Sequence, residues 1–227
     1  MSDARLAATV VVLRPGGRAP QILMVRRTRG ASFMADAFVF PGGRVDESDG
    51  DGEARYRKAA VRELREEAAV EVDPAALVPL SRWVTPSREP KRFDARFFVV
   101  AVPAGTQARV DEAEVTELLW ATAADILQRG VDGRITLPPP TSRTLEELAP
   151  FSDIASVLEH ASARSVEPIQ PKLLDDGLIL MPWDPEFDAA EGEGASIAAD
   201  HPLAGGTTRY LYRDGRFTPQ TFSARSP

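Results

Sequence analysis

The stretch from Phe38 to Val72 constrains this chain more than any other. An apolar strand, Phe38-Val39-Phe40, breaks at Pro41-Gly42-Gly43 and resumes, after an acidic loop, as a helix rich in glutamate. Glycines at the end of a strand permit a tight turn and let a backbone carbonyl approach a ligand closely. Ala60, Val61, Leu64 and Ala68 recur with the 3.6-residue period of an amphipathic helix, so that face turns toward a core. Glu63, Glu66 and Glu67 are spaced i, i+3, i+4 and leave one side of the same helix, beside the apolar stripe. Carboxylates that close repel, so they are either splayed into solvent or neutralised by cations. At the rim of a core, three of them offer hard oxygen ligands suited to Mg²⁺ or Mn²⁺.

Taken alone, Arg62-Glu63-Leu64-Arg65-Glu66-Glu67 is an ordinary charged helix face. The strand and glycine turn ahead of it change that reading. Together with Gly43 and the aliphatic Val70, these residues resemble the Nudix box, the metal-binding loop and helix of the Nudix hydrolases, which cleave nucleoside diphosphates linked to another moiety. The resemblance implies a catalytic set of Arg62, Glu63, Glu66 and Glu67. In it a backbone carbonyl at Gly42 or Gly43 joins the three glutamates as metal ligand, and Arg62 holds the loop through a carboxylate without touching substrate. Two departures matter. Arg62 follows Gly43 by nineteen positions, against about fourteen in the box, so the loop is longer by about five residues. Counting forward from Gly43 lands on Asp49 and counting back from Arg62 lands on Ala54. Asp49 or the neighbouring Glu53 therefore takes the first box glutamate's role of orienting the arginine. Ala69 stands where the box has a glycine, and the helix is expected to end without an αL glycine in a last turn of different shape.

The whole chain sets outer bounds. With 227 residues, 43% of them hydrophobic, it can bury a full core with room for one domain and a substantial extension. No run approaches the ~18 to 20 apolar residues of a membrane helix, and the N-terminus lacks a basic-then-apolar leader, so a cytoplasmic protein with no membrane partner is expected. There are no cysteines, which excludes disulfides and thiolate metal sites. A net charge of −7 argues against nucleic acid as a partner. His160 and His201 lie far from the box and read as surface or structural residues. The acidic run at 49 to 53 has neither the glycine nor the terminal glutamate of a calcium loop at the required spacing and reads as a turn and helix cap.

In chain order, Ala7 to Leu13 and Gln21 to Arg27 read as two strands forming a hairpin across Pro15-Gly16-Gly17. After the box helix, Asp73-Pro74 is a stop. Leu77 to Val84, Phe93 to Val102 and Glu112 to Trp120 read as strands, the second buried on both faces. Ala121 to Arg129 reads as a helix stopped by Gly130. This order predicts a mixed sheet covered by helices, an α/β/α sandwich, in agreement with the fold that the Nudix resemblance implies. Pro138-Pro139-Pro140 marks a boundary, so the chain divides into a Nudix domain at 1–135 and a C-terminal α+β extension at 136–227 packed on it. The extension contains two short helices, Ser142 to Ala149 and Asp153 to Ala163, a strand at Leu178 to Met181, and a hairpin over Thr208 to Phe217 turning at Asp214-Gly215. The region from Glu186 to Gly206 reads as loose.

The resemblance extends beyond the box. Arg26-Arg27-Thr28, Ser32-Phe33-Met34, the run from Phe38 to Asp46 and the later Arg92-Phe93-Asp94-Ala95-Arg96-Phe97-Phe98 are similar to the coenzyme A diphosphatase branch related to the peroxisomal Nudix enzymes of animals. That branch implies coenzyme A or an acyl-coenzyme A as substrate. Arg26, Arg27, Arg29, Arg92 and Arg96 are then candidates for holding its phosphates, with surface ion pairs as the plain alternative for each. Glu67, Glu114 and Glu117 are the candidates for general base. ADP-ribose or dinucleotide hydrolysis, and a non-catalytic nucleotide-binding regulatory module, are the rival functions. A homodimer is allowed by the chain and not required by it.

Overall fold

The computed structural model describes residues 4–31, 34–110, 115–198, 201 and 203–220. Its strands are β1 (Arg5–Arg14), β2 (Gln21–Arg27), β3 (Phe38–Val39), β4 (Gly42–Arg44), β5 (Val78–Val84), β6 (Phe93–Ala101), β7 (Val115–Thr122), β8 (Pro168–Ile169), β9 (Lys172–Leu173), β10 (Leu178–Leu180), β11 (Arg209–Arg213) and β12 (Arg216–Gln220). Its helices are α1 (Ala54–Ala68), α2 (Ala123–Val131), α3 (Pro139–Leu148) and α4 (Ile154–Ser162). A mixed sheet runs in the order β3-β2-β1-β6-β5-β8, with β4 on β1 and β7 on β2. A second sheet, β12-β11-β10-β9, belongs wholly to the C-terminal extension.

The hairpin of β1 and β2 positions everything that follows. The two strands pair at Leu13–Ile22 and Arg14–Gln21 and then part. On one arm β4 pairs with the first half of β1, setting Gly42 opposite Thr9 and Gly43 opposite Ala8. On the other arm β3 pairs with β2 at Val25–Val39 and Arg26–Phe38. The segment Phe38 to Arg44 therefore bridges the open end of a V. On its other side β1 runs parallel to β6 from Arg5–Phe93 to Leu13–Ala101, and β5 pairs antiparallel with β6.

Side-chain alternation along these strands separates two cores. Ala8, Val10, Val12, Phe98 and Val100 face Tyr56, Ala59, Ala60, Leu64 and Ala68 of α1. Full burial of a side chain such as Leu64 is worth roughly 1.5–3 kcal/mol. Val11, Leu13, Phe97 and Val99 face the opposite way, toward Ile126, Leu145 and Val157 of the other three helices and Ile179 and Tyr210 of the second sheet. Helices thus cover both faces, and the expected sandwich is observed.

Several element ends differ from the sequence reading for local reasons. The helix expected to stop at Gly130 runs to Val131, and Gly133 takes the left-handed conformation at φ 70 instead. Gly130 is small for packing: a Cβ there would sit 2.9 Å from Leu137 Cδ1. The three prolines do not precede a helix; they start it, with Pro139 as the first helical residue of α3. The first positions of a helix need no N–H partner, and proline's fixed φ suits them. β8 extends the main sheet, pairing parallel to β5 at Arg82–Pro168 and Trp83–Ile169. The region from 186 to 206 forms no helix or strand among its described residues, yet Phe187 and Leu203 are buried and the Lys172 ammonium donates to the Phe187 and Ala190 carbonyls. The hairpin turn falls where expected, with Asp214 and Gly215 at φ 52 and 76, the pair of positive values that a two-residue type I′ turn requires.

Candidate active site

Arg62 is the hub of the box. Its Nε and Nη2 donate to Asp49 Oδ1 and Oδ2 at 3.2 and 3.0 Å, and Nη2 also donates to the Arg44 carbonyl at 2.8 Å. Nη1 donates to Glu63 Oε1 at 2.8 Å and to Glu66 Oε2 at 3.0 Å. Asp46 Oδ2 lies 3.6 Å from Nη2. The Asp49 hydrogen bonds, with Glu63 after them, outweigh the opposing pull of burial and hold the guanidinium firmly in its charged form. Of the two candidates, Asp49 is the one in contact with Arg62. Asp49 is buried and takes the arginine in a fork, whereas Glu53 is on the surface, 3.3 Å from Arg96. Burial pushes the Asp49 carboxyl up, but the Arg62 hydrogen bonds and the Asp46 N–H outweigh it and hold its pKa below the usual range.

The two box glycines have separate reasons. A Cβ on Gly42 would meet the Ala8 carbonyl oxygen at 2.4 Å, so the β1–β4 pairing excludes a side chain there. A Cβ on Gly43 would fall 2.4 Å from the Glu63 carboxylate; its absence lets that carboxylate lie against the strand. Glu67 is 3% exposed and its Oε2 accepts the Gly42 N–H at 2.9 Å, while Arg27 Nη1 approaches its Oε1 to 4.0 Å. Ala69 corrects the expectation about the end of α1. It adopts the left-handed conformation itself, at φ 53 and ψ 31, and its N–H reaches the Arg65 carbonyl at 3.0 Å. The turn has the shape a glycine would give, with a methyl group in a region that L-residues avoid.

These groups open on one cleft of about 830 Å³, in which Glu63, Glu66 and Glu67 share a wall with Gly42, Gly43 and Arg62. Of the five arginines singled out from sequence, Arg27 lines it. The other four lie outside the lining: Arg26 on Asp36 and Glu117, Arg29 near Asp36, Arg92 on the Thr85 carbonyl, and Arg96 on Glu53 and over the Tyr56 ring. Glu117 is thereby tied to Arg26, and Glu114 lies outside the described residues, as do Ser32 and Phe33. Sequence reading missed Arg5, Arg44, Glu89 and Lys91, all of which line the cleft. Loss of water around Glu89 pushes its carboxyl pKa up. Nothing in a short polar loop marks Glu89 and Lys91 in advance; the approach of β5 and β6 brings them there.

Among the described residues, no three histidine, aspartate or glutamate side chains converge as a ready metal cage. The reason is visible in the contacts: Arg62 supplies the positive charge to Glu63 and Glu66, and Glu67 is held by the Gly42 N–H. The donor set nonetheless fits a divalent cation. It consists of hard oxygens on one cleft wall, and Gly43 leaves the space in which the Glu63 carboxylate is seated.

Comparison with known proteins agrees with this geometry. The chain is 26% identical over 187 residues to the "Putative nudix hydrolase 7" of Caenorhabditis elegans, covering 67% of this chain and 63% of that protein. It is 28% identical over 117 residues to the human acyl-coenzyme A diphosphatase NUDT19, covering 48% of this chain and 31% of that protein. The chain thus spans less than two thirds of either relative. A NUDIX hydrolase structure from Alicyclobacillus acidocaldarius superposes with a TM-score of 0.63 at 26% identity, covering 70% of this chain and 97% of that one. Residues 3–138, more than half of the chain, match the family model of the NUDIX domain, and with the clamped arginine and glutamate wall found inside that segment, the chain belongs to the Nudix family.

Proposed function

We propose that this protein is a metal-dependent hydrolase that cleaves the diphosphate of a nucleoside diphosphate linked to another moiety, with coenzyme A or an acyl-coenzyme A as substrate. The observation that carries the reading is the shared wall: Glu63, Glu66 and Glu67 face one cleft beside Gly42 and Gly43, with Arg62 holding the loop. Those glutamates and the Gly43 carbonyl would hold Mg²⁺ or Mn²⁺. Such a cation, when bound, supplies Lewis acidity toward the diphosphate and toward the attacking water.

The remaining roles fall to the chain's own residues. Asp49 orients Arg62, and Arg62 keeps the loop closed against the helix. Arg27, with Arg5, Arg44 and Lys91, gives the cleft the positive charge that an anionic substrate needs. Glu67 and Glu89 are the acids in the cleft suited to take a proton; the raised pKa of Glu89 brings it closer to working pH. The coenzyme A assignment is supported by the partial similarity to the human acyl-coenzyme A diphosphatase and by Arg27 on the cleft wall. We also propose that 136–227 is an extension of the same body, supported by the addition of β8 to the main sheet.

The test is hydrolysis of a panel comprising coenzyme A, dephospho-coenzyme A, ADP-ribose and a dinucleoside polyphosphate, with and without EDTA. The expected result is cleavage of coenzyme A that stops with chelation and returns with Mg²⁺ or Mn²⁺. Restoration by zinc alone would contradict the ligand set. A preference for ADP-ribose would overturn the substrate and leave the hydrolase. Turnover of no compound, with nucleotide binding retained, would favour the regulatory module.

A further inference from the structure

The cleft has a second wall that the family match does not include. Its floor is the face of the sheet turned away from α1, carrying Thr9, Trp83, Ala95 and Phe97. Above it lie Pro139, Pro140, Pro171, Ile179 and Phe217, all beyond residue 138, where the NUDIX match ends. They come from four places: the first turn of α3, the link between β8 and β9, strand β10 and strand β12. Ile179 belongs to the same buried cluster as Trp83 and Phe97, and Phe217 packs against it, so the wall is continuous with the core.

Its chemistry is unlike that of the box. A helix start ordinarily presents free N–H groups that demand water or an anion. Here Pro138, Pro139 and Pro140 have none, so at this end of the cleft ring carbons replace three of those donors and Thr141 supplies the first N–H. Phe217 is held in place by stacking on Tyr212, with ring centroids 4.6 Å apart. One cleft thus joins a charged wall to an apolar one, and its volume of about 830 Å³ is in the range of sites for cofactor-sized ligands.

We infer that the C-terminal extension is the specificity element of this site, and that its wall of Pro139, Pro140, Ile179 and Phe217 binds an apolar hydrocarbon arm carried by the non-nucleotide half of the substrate. The inference rests on the proposed diphosphate chemistry for the orientation of the ligand, with the anionic end at the glutamates and the arm under the extension. It assigns to Phe217 a role that no residue of the box can have: discrimination between substrates that differ only in the length of that arm.

The experiment compares the full chain with Phe217→Ala, a change at a half-buried position on the last described strand. Calorimetric titration in EDTA measures the Kd of coenzyme A and of its hexanoyl and dodecanoyl thioesters; kcat/KM for the same three is measured with Mg²⁺. The wild-type protein should bind the acylated compounds more tightly than coenzyme A, and Phe217→Ala should reduce that advantage about five-fold or more while leaving the affinity for coenzyme A unchanged. Equal affinity of the wild-type protein for all three would overturn the inference, even if all three were hydrolysed. So would a chain-length advantage that Phe217→Ala leaves intact. An advantage lost in the variant, without hydrolysis of any compound, would uphold the wall and refute the proposed reaction. A melting curve for Phe217→Ala matching that of the wild-type protein shows that the fold is retained; if it falls, Phe217→Leu repeats the comparison with the wall's volume largely kept.

Discussion

Two arginines of this protein are each surrounded by carboxylates, and they do opposite things. Arg209 lies in the extension with a fully buried partner, Asp184, to which its Nε donates at 2.7 Å, and with Glu186 Oε2 3.0 Å from Nη1. Arg62 meets Asp46, Asp49, Glu63 and Glu66, and Glu67 stands on the same wall. The first network sets two acids against one cation around a buried Arg209–Asp184 pair, with only Glu186 reaching solvent, so it serves the fold. The second sets five carboxylates against Arg62 and the more distant Arg27, and it faces a cleft. That surplus is what separates a site from a strut: a stable fold has no reason to gather repelling charges at an opening unless a cation or substrate completes them.

The comparison breaks most visibly in activity. Glu66→Gln and Glu67→Gln should each lower kcat/KM by at least about 10²- to 10³-fold. Glu67→Gln keeps an acceptor for the Gly42 N–H, and Glu66→Gln removes a repelling charge, so thermal melts should hold or rise slightly. Turnover that survived both changes would remove the functional meaning of the surplus. Arg209→Ala, by contrast, should cost about 3–5 kcal/mol in urea unfolding, because it strands the buried Asp184, with kcat/KM of the folded protein unchanged. A loss of specific activity without loss of stability there would reverse the roles assigned to the two networks.

Smaller changes sharpen the picture within the box. Asp49→Asn should destabilise by about 1.5–3 kcal/mol, the scale of a hydrogen bond to a charged group, while Glu53→Gln at the exposed position should stay within about 0.5 kcal/mol. Asp49 has a folded pKa below its unfolded one. Its contribution is therefore complete above the unfolded value of about 3.9 and is lost as pH falls through the folded value. The gap between wild type and Asp49→Asn, measured by urea titration at about pH 6 and about pH 3, should narrow at the lower pH. The smallest effect runs the other way. Ala69→Gly relieves a left-handed alanine on an exposed turn and should stabilise by about 1 kcal/mol; a loss of stability would mean that the methyl group is doing something the turn geometry does not reveal.

How much of this was legible in the sequence follows from what each residue depends on. The box helix was readable because its evidence is local: the stripe of Ala60, Leu64 and Ala68 and the spacing of the three glutamates are fixed by one helical period. The Asp214-Gly215 turn was readable for the same reason. The reasons for Gly42 and Gly43 were not, because they lie in the backbone of β1 and in a carboxylate twenty residues downstream of Gly43. The arginines show the limit best. Arg26 and Arg27 are adjacent in β2, and the pairing with β7 shifts register between them; one reaches Glu67 in the cleft and the other is spent on Asp36 and Glu117. Charge density along the chain identified the neighbourhood and could not select the face. The apolar wall was invisible for a further reason: its residues come from four separated segments, and each reads as ordinary core or turn.

The pairing of β8 with β5 also bears on handling of the protein. An unpaired strand edge offers a row of N–H and C=O groups to any other strand, and folded proteins commonly cover such edges. Here Pro168 and Ile169 cover the edge at Arg82 and Trp83, and the extension overlies Leu80, Trp83 and Phe97 in the shared core. A chain cut after residue 138 would keep every residue of the box and yet present that open edge beside a bare apolar face, which is the surface from which intermolecular β-assembly starts. The extension thus also covers, at Arg82 and Trp83, a strand edge that the truncated chain would leave open.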